Sequence, residues 1–312
     1  MDAKIYKNKK PIIFFLFPAF LFMIVYLYYP FVESIVTSFF KVKKLSDPII
    51  MENFVGTKWY EKMISEIWDY KKTFETGSFV WGHGKLLIAL KNTGITIIAT
   101  IFGQVGLALV LSLMVSNIKK GAGVFRVVFF FPIIVSATAL ALLFNLIFQF
   151  EGGLINQLGS MLGILDEAKF NWHLELPMFT MLSPVIWQYV GFYFVILLTG
   201  ISGIPEDLYE AASIDGASKL QRIRFITLPL LKNSISTCVV LAVTGALKVF
   251  DLPYTMFKNG VGDTWLTGTY MYQQSQANVA YASTLAILIV VLGVLLSVIV
   301  NNIFKTDDSL EM

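Results

Sequence analysis

Cysteine is almost missing from this sequence: Cys238 stands alone among 312 residues, so no intrachain disulfide can form. Set in an apolar stretch, that thiol reads as a small buried hydrophobe before it reads as a nucleophile. Histidine is nearly as scarce. His83 and His173 both lie outside the apolar runs, so sequence neighbours cannot assemble a metal cluster. Charged residues make up 14% of the chain and the net charge is +3, with no basic stripe to follow nucleic-acid phosphates. Catalytic signatures are missing too. Gly84-Lys85 is followed by Leu86 and lacks the earlier glycine of a phosphate loop, and there is neither a G-x-S-x-G elbow nor an H-E-x-x-H helix. The expectation is a chain that is no enzyme, carries no catalytic residue, metal or cofactor, and binds no nucleic acid.

What is abundant is apolar surface. Hydrophobic residues form 56% of the chain and mean hydropathy is +0.70, leaving too few polar groups to cover a soluble globule. The solvent must be the lipid bilayer. A helix needs about 20 mostly apolar residues to cross the hydrocarbon, and six stretches qualify: Pro11 to Ser34, Ile95 to Val115, Val124 to Phe148, Met178 to Ile201, Ser234 to Met256, and Ala282 to Asn302. The first follows Lys4, Lys7, Lys9 and Lys10 in the manner of a signal peptide, but its apolar run is too long and has no small-residue cleavage site, which predicts a retained helix. The fold class expected is an all-α membrane protein.

Lys and Arg favour the cytoplasmic ends of short loops. With the N-terminus inside, the inner segments carry those four lysines, then Lys119, Lys120 and Arg126, then Lys219, Arg222, Arg224 and Lys232, then Lys305. The short outer loops carry only Lys169 and Lys258. Both termini are expected in the cytoplasm. In the long outer segment from Phe40 to Leu90, Trp59, Met63, Ile64, Ile67 and Trp68 fall at helical spacing with Lys62, Glu66 and Asp69 between them. This predicts a short amphipathic helix, a lid on the membrane surface more readily than a substrate-binding element.

The inner segment from Ile204 to Leu231 is built unlike a plain connector. Pro205 suits a first helical position, and Glu206 and Asp207 complement the positive end of a helix dipole, predicting a helix from Pro205 to about Ile214. Gly216 can stop it, Ser218 can cap a second helix, and Pro229 ends or kinks that one. The product is a helix–turn–helix on the inner face.

Here the residues resemble a family. Glu210, Ala211, Ala212, Gly216, Ile226, Leu228 and Pro229 reproduce the EAA motif of binding-protein-dependent ABC importer permeases. The wider chain is similar to the carbohydrate branch, above all to the maltose-F-type permease. FLFPAFLFMIVYLYYPFVESIVTSFF looks like its first helix, ENFVGTKWYEKMI and ALKNT like the linker into the core, and KVFDLPYTM and VAYASTLAILIVVL like its fifth and sixth helices. One departure is Gly260-Val261-Gly262, where the family often carries Gly-Gly-Gly-Pro.

The resemblance implies a subunit of a bacterial inner-membrane importer in which the EAA helices form the coupling element on an ATP-hydrolysing partner. It further implies two such ATPase subunits, which hold the ATP and Mg, a second EAA-motif permease as heterodimer partner, an extracytoplasmic solute-binding protein, and a carbohydrate cargo. Residues 1–88 would be an N-terminal helix with its outer loop, 89–304 the permease core with the coupling element at 204–231, and 305–312 a cytoplasmic tail. Coupling would fall on Glu210, Ala211, Ala212, Asp215, Gly216 and Pro229. For Glu210 the competing account is a solvated helix-face acid, and for Gly216 close approach of a partner competes with a plain helix stop.

For the solute path, Thr244, Lys248 and Asp251 fall at i, i+4 and i+7, a polar stripe on one helix face. An intrahelical Lys248–Asp251 pair near the interface is the other reading. Gln188, Tyr189 and Tyr193 around Gly191 offer an amide and aromatic faces for sugar rings, or interfacial packing. Asn145 and Gln149 are weaker candidates. A phosphorylated polyol or a polysaccharide fragment is the alternative cargo. A secondary transporter would leave the EAA stretch unexplained.

Overall fold

The computed structural model describes residues 9–44, 46–67, 84–116, 118, 121–164 and 170–304. Among them the backbone is helical, apart from loops and an isolated antiparallel bridge between Phe40 and Phe54. Lys4, Lys7, Trp68, Asp69, His83, Lys119, Lys120, Lys169 and the tail from Lys305 lie outside the described residues.

Among the described residues, five helices are long and apolar enough to cross a membrane: Ile12–Thr37, Lys85–Val115, Pro177–Ser202, Lys232–Met256 and Val279–Phe304. A sixth crossing exists only if Ala122–Ile134 and Ala137–Ile147, bent by 97°, are taken as one span. The span expected over Val124 to Phe148 is thus represented by this bent pair. Helix α6 (Ala122–Phe130) tightens into a 3₁₀ turn at Phe131–Ile134, where Pro132 has no N–H to donate. Ser136 then starts α7 (Ala137–Ile147) afresh, its hydroxyl accepting from Ala139 N at 3.2 Å.

Prolines shape two further spans as well. The first consists of α1 (Lys9–Met23) and α2 (Tyr29–Thr37) joined by a wide π turn at Ile24–Tyr28. Its centre, Tyr26, lies four residues before Pro30, whose ring would strike that carbonyl in a regular helix. The fifth divides into α14 (Lys232–Lys248) and α15 (Asp251–Met256), with Val249 and Phe250 out of helical geometry. Pro253 explains this in the same way, because Val249 is its fourth predecessor.

Contacts divide the chain into two compact units, Met1–Trp68 with Met271–Leu288, and Asp69–Tyr270 with Ile289–Met312. In the first, the expected amphipathic helix appears as α3 (Lys58–Ile67). Trp59 Nε1 donates to Phe40 O at 2.8 Å, Tyr60 and Ser38 share a hydrogen bond, and Tyr281 Oη donates to Glu66 Oε2 at 2.7 Å. Lys62 sits 3.7 Å from Glu66 and over the Tyr281 ring.

The second unit holds α4 (Lys85–Thr100), a π turn at Ile101–Gly106, α5 (Leu107–Val115), α6, α7, α8 (Leu154–Met161), α9 (Trp172–Glu175) and α10 (Pro177–Ser202). Its core is Ala108, Tyr193, Phe194, Leu197, Cys238, Ala242 and Val243, joined by Val300 from α16 (Val279–Phe304). Cys238 is fully buried, as a small hydrophobe would be.

Candidate functional site

The segment after α10 folds as a tied hairpin. Helix α11 (Glu206–Ile214) begins after Pro205, which takes the capping position one residue earlier than expected, and carries Glu206 and Asp207 in its first turn. It ends where Gly216 adopts φ +77°. Gly216 N donates to Ser213 O at 3.2 Å and Ala217 N to Ala212 O at 2.9 Å, which pairs two of the carbonyls a helix end leaves open. Space around Gly216 is open, so within this chain it acts as the helix stop.

Ser218 and Gln221 then form a reciprocal cap for α12 (Lys219–Arg222), which runs through a π turn at Ile223–Thr227 into α13 (Leu228–Leu230). Phe225, the centre of that turn, is the fourth residue before Pro229. Tyr209 and Thr227 share a hydrogen bond at 3.0 Å, and Arg222 Nη1 donates to Ser213 Oγ at 2.9 Å, so the two arms are cross-braced. Glu210, Ala211, Asp215 and Pro229 are exposed and Ala212 is half-buried. The tip presents large apolar side chains to solvent: Ile214 is 87% exposed, Leu220 74% and Phe225 68%.

A cavity of about 470 Å³ opens between α4, α10, α14 and α15. Gln188, Tyr189, Tyr193, Lys248 and Asp251 line it, together with Thr100, Gln104 and Gly245. Two expected residues do not. Thr244 turns its hydroxyl back to Val240 O at 2.8 Å within its own helix. Gly191 packs against α6 instead, where a Cβ would fall 1.7 Å from Phe129 O. The single-helix stripe of Thr244, Lys248 and Asp251 is therefore corrected: the helix stops at Lys248, and Asp251 begins another. No ion pair joins Lys248 to Asp251.

Amides brace the cavity wall. Gln104 Nε2, on the π turn of the second span, donates to Val185 O at 2.8 Å, and Gln188 Nε2 reaches Val135 O, beside the 97° bend, at 3.4 Å. Gln104 was missed from sequence, although a lone amide in an apolar run was a signal for it. Asn145 bonds His173 at 3.0 Å and Gln149 is exposed; neither lines the cavity. Burial lowers the His173 pKa below the usual imidazole value, and a backbone hydrogen bond to Phe148 partly offsets this. Among the described residues, no three His, Cys, Asp or Glu side chains converge as a metal site would require.

Residues 104–306 match the family model described as "Binding-protein-dependent transport system inner membrane component". The chain is 33% identical to the probable ABC transporter permease protein YurN of Bacillus subtilis, over 94% of this chain and 95% of the relative. It is 29% identical to the sulfoquinovosyl glycerol transport system permease protein SmoG of Agrobacterium fabrum, over 93% of this chain and 89% of the relative. In fold it is similar to a chain of a bacterial ABC transporter involved in import of the acidic polysaccharide alginate, with a TM-score of 0.75 at 20% identity, covering 96% and 97% of the two chains.

Proposed function

Because the chain belongs to the family of binding-protein-dependent transport system inner membrane components, we propose that it is the permease subunit of an ATP-driven carbohydrate importer whose ATP is hydrolysed on separate subunits. The observation that carries this reading furthest is the braced hairpin with its bare apolar tip. Ile214, Leu220 and Phe225 are each exposed on this hairpin, with Glu210, Lys219 and Arg222 interspersed in its sequence, and large apolar side chains held out in this way suit a protein docking surface. The exposed Glu210 carboxylate, which has no ion-pair partner among the described residues, supplies a polar contact at its rim. A hairpin continuous through α13 with span five can pass movement of an ATPase pair to the membrane helices; a loose loop could not. Ala211, Ala212, Asp215, Gly216 and Pro229 shape that projection, and Mg and ATP belong to the partner.

At the other end, the cavity offers the chemistry a polyhydroxylated solute needs: tyrosine faces to stack on sugar rings, an amide, and one charge of each sign at Lys248 and Asp251. SmoG is named for a glycosylated cargo, which agrees with this reading. An extracytoplasmic binding protein delivers the solute to a heterodimer of this chain and a second permease, and ATP-driven closure of the ATPases exposes the cavity to the other side. Both termini are cytoplasmic in this arrangement, with residues 89–304 as the transport core.

Uptake by the complete complex in proteoliposomes tests it. Transport should vanish when Glu210→Ala is combined with Gly216→Val, while the variant still inserts and pairs with the second permease. Uptake that persists in that variant, or without any ATPase subunit, would overturn the assignment.

A further inference from the structure

Helix α8 is inside out. Leu154, Leu158, Met161 and Leu162 fall within about 100° of arc on a helical projection, and Asn156 lies nearly opposite their centre. In a soluble protein the apolar arc would face the core. Here all four are exposed, Met161 by 80% and Leu162 by 72%, and the neighbouring Ile164 by 75%. Asn156, on the polar side, is buried instead. Its Nδ2 donates to Phe150 O and Phe170 O, each at 3.0 Å, with a longer contact to Gln149 O at 3.5 Å, and its Oδ1 accepts from Trp172 Nε1 at 2.7 Å. The helix is therefore held to the protein by its polar face while its apolar face is turned outward.

We propose that α8 lies in the bilayer–water boundary, with Leu154, Leu158, Met161 and Leu162 among the upper acyl chains. Two observations select lipid over a protein partner. First, α8 packs against α7, the second arm of the apolar bent pair, whose Leu142, Leu143 and Leu146 are exposed, so exposed apolar side chains lie on both of the packed helices. Second, Gly152 to Ile164 contains no charged residue. The apolar patch of the α11–α12 hairpin, by contrast, is interleaved with Glu210, Lys219 and Arg222. A surface meant for a water-soluble partner keeps a charged rim, whereas one meant for lipid does not need it. Trp172, bonded to Asn156, tilted against the Phe148 ring and edge-on to Phe170, adds the aromatic residues typical of that depth. The inference depends on neither the cargo nor the ATPase.

The lone cysteine makes the test direct. Single cysteines at Leu158, Met161, Gln157 and Ser160 would be placed in a Cys238→Ala background, spin-labelled, and reconstituted with the partner subunits in nanodiscs of phosphatidylethanolamine and phosphatidylglycerol. If Cys238→Ala does not fold, the buried Cys238 is kept and its labelling measured in the parent chain. Collision with oxygen, which partitions into lipid, should exceed collision with a water-soluble nickel chelate at Leu158 and Met161, and the order should reverse at Gln157 and Ser160. Nickel access at Leu158 and Met161 equal to that at Gln157 would overturn the proposal in favour of a water-exposed helix. Exclusion of both reagents from Leu158 and Met161 would overturn it in favour of a protein interface.

Discussion

The hydroxyls of Tyr209 and Thr227 lie 3.0 Å apart and tie α11 to the π turn ahead of Pro229. Thr227 is buried, and its hydroxyl also reaches the Arg222 carbonyl at 3.4 Å, so one threonine fastens both arms of the hairpin. Removing the phenol in Tyr209→Phe should cost about 0.5–1.5 kcal/mol of local stability, the net value of one hydrogen bond. The hairpin should still dock, with less solute moved per ATP hydrolysed. Measuring uptake against phosphate release in the same proteoliposomes checks this, and an unchanged ratio would count against a rigid lever.

Gly191 is a packing residue. Its absent Cβ lets α10 approach the Phe129 carbonyl of α6, so Gly191→Ala should destabilise the folded chain by about 1–3 kcal/mol through overpacking. Gly94→Ala is the matched control, because nothing lies within 4 Å of a Cβ there and alanine is the better helix former. Thermal unfolding of the two purified variants should separate them, with Gly191→Ala below the parent and Gly94→Ala at or above it.

Asn156→Leu should release α8 from its anchor. It orphans the Phe150 and Phe170 carbonyls and the Trp172 indole N–H, and each buried polar group left unpaired costs about 1–3 kcal/mol. Faster hydrogen exchange confined to residues 150–164 is the expected sign. Unchanged exchange would mean that the amide is not what holds the helix.

His173 sets a pH dependence. Burial depresses its pKa, so the unfolded state takes up a proton first as pH falls. The sign follows: no cost above about pH 6.5, and stability lost as pH drops through that value toward the folded pKa. Unfolding midpoints in a pH series from about 7.5 to about 5.5 should fall in the parent chain and fall less in His173→Gln. Identical slopes would refute the assignment to this ring.

The hairpin was legible in the sequence because its rules are local. Pro205, the acids after it, Gly216 and Ser218 each act on backbone within a turn of themselves. The membrane class was legible for an equally simple reason, since composition alone excluded a water-covered surface. The bend before α7 was not read, although Pro132 followed by Ser136 is a stop-and-restart signal; the unbroken apolar run masked it. The polar stripe on span five failed because helical periodicity was carried across Val249, whose carbonyl Pro253 cannot use. The cavity was half legible. Gln188, Tyr189 and Tyr193 lie close together in sequence, but Thr100 and Gln104 join them only through tertiary packing. Nothing in the pattern of α8 shows which face the protein takes, because amphipathicity does not state what the apolar side will meet.

The π turns at Ile24–Tyr28 and Ile223–Thr227 can be described as rotational phase. A single π turn holds one residue more than α geometry would, and one residue is worth about 100° of azimuth. Everything N-terminal to Ile223 is therefore swung around the axis relative to what an uninterrupted helix leading into Pro229 would give. The direction in which the hairpin points is written in backbone length, with the proline as its marker. Substituting Pro229 alone would remove the steric reason for the extra residue and leave the residue in place, whereas deleting one residue from that turn would swing the whole projection to another heading.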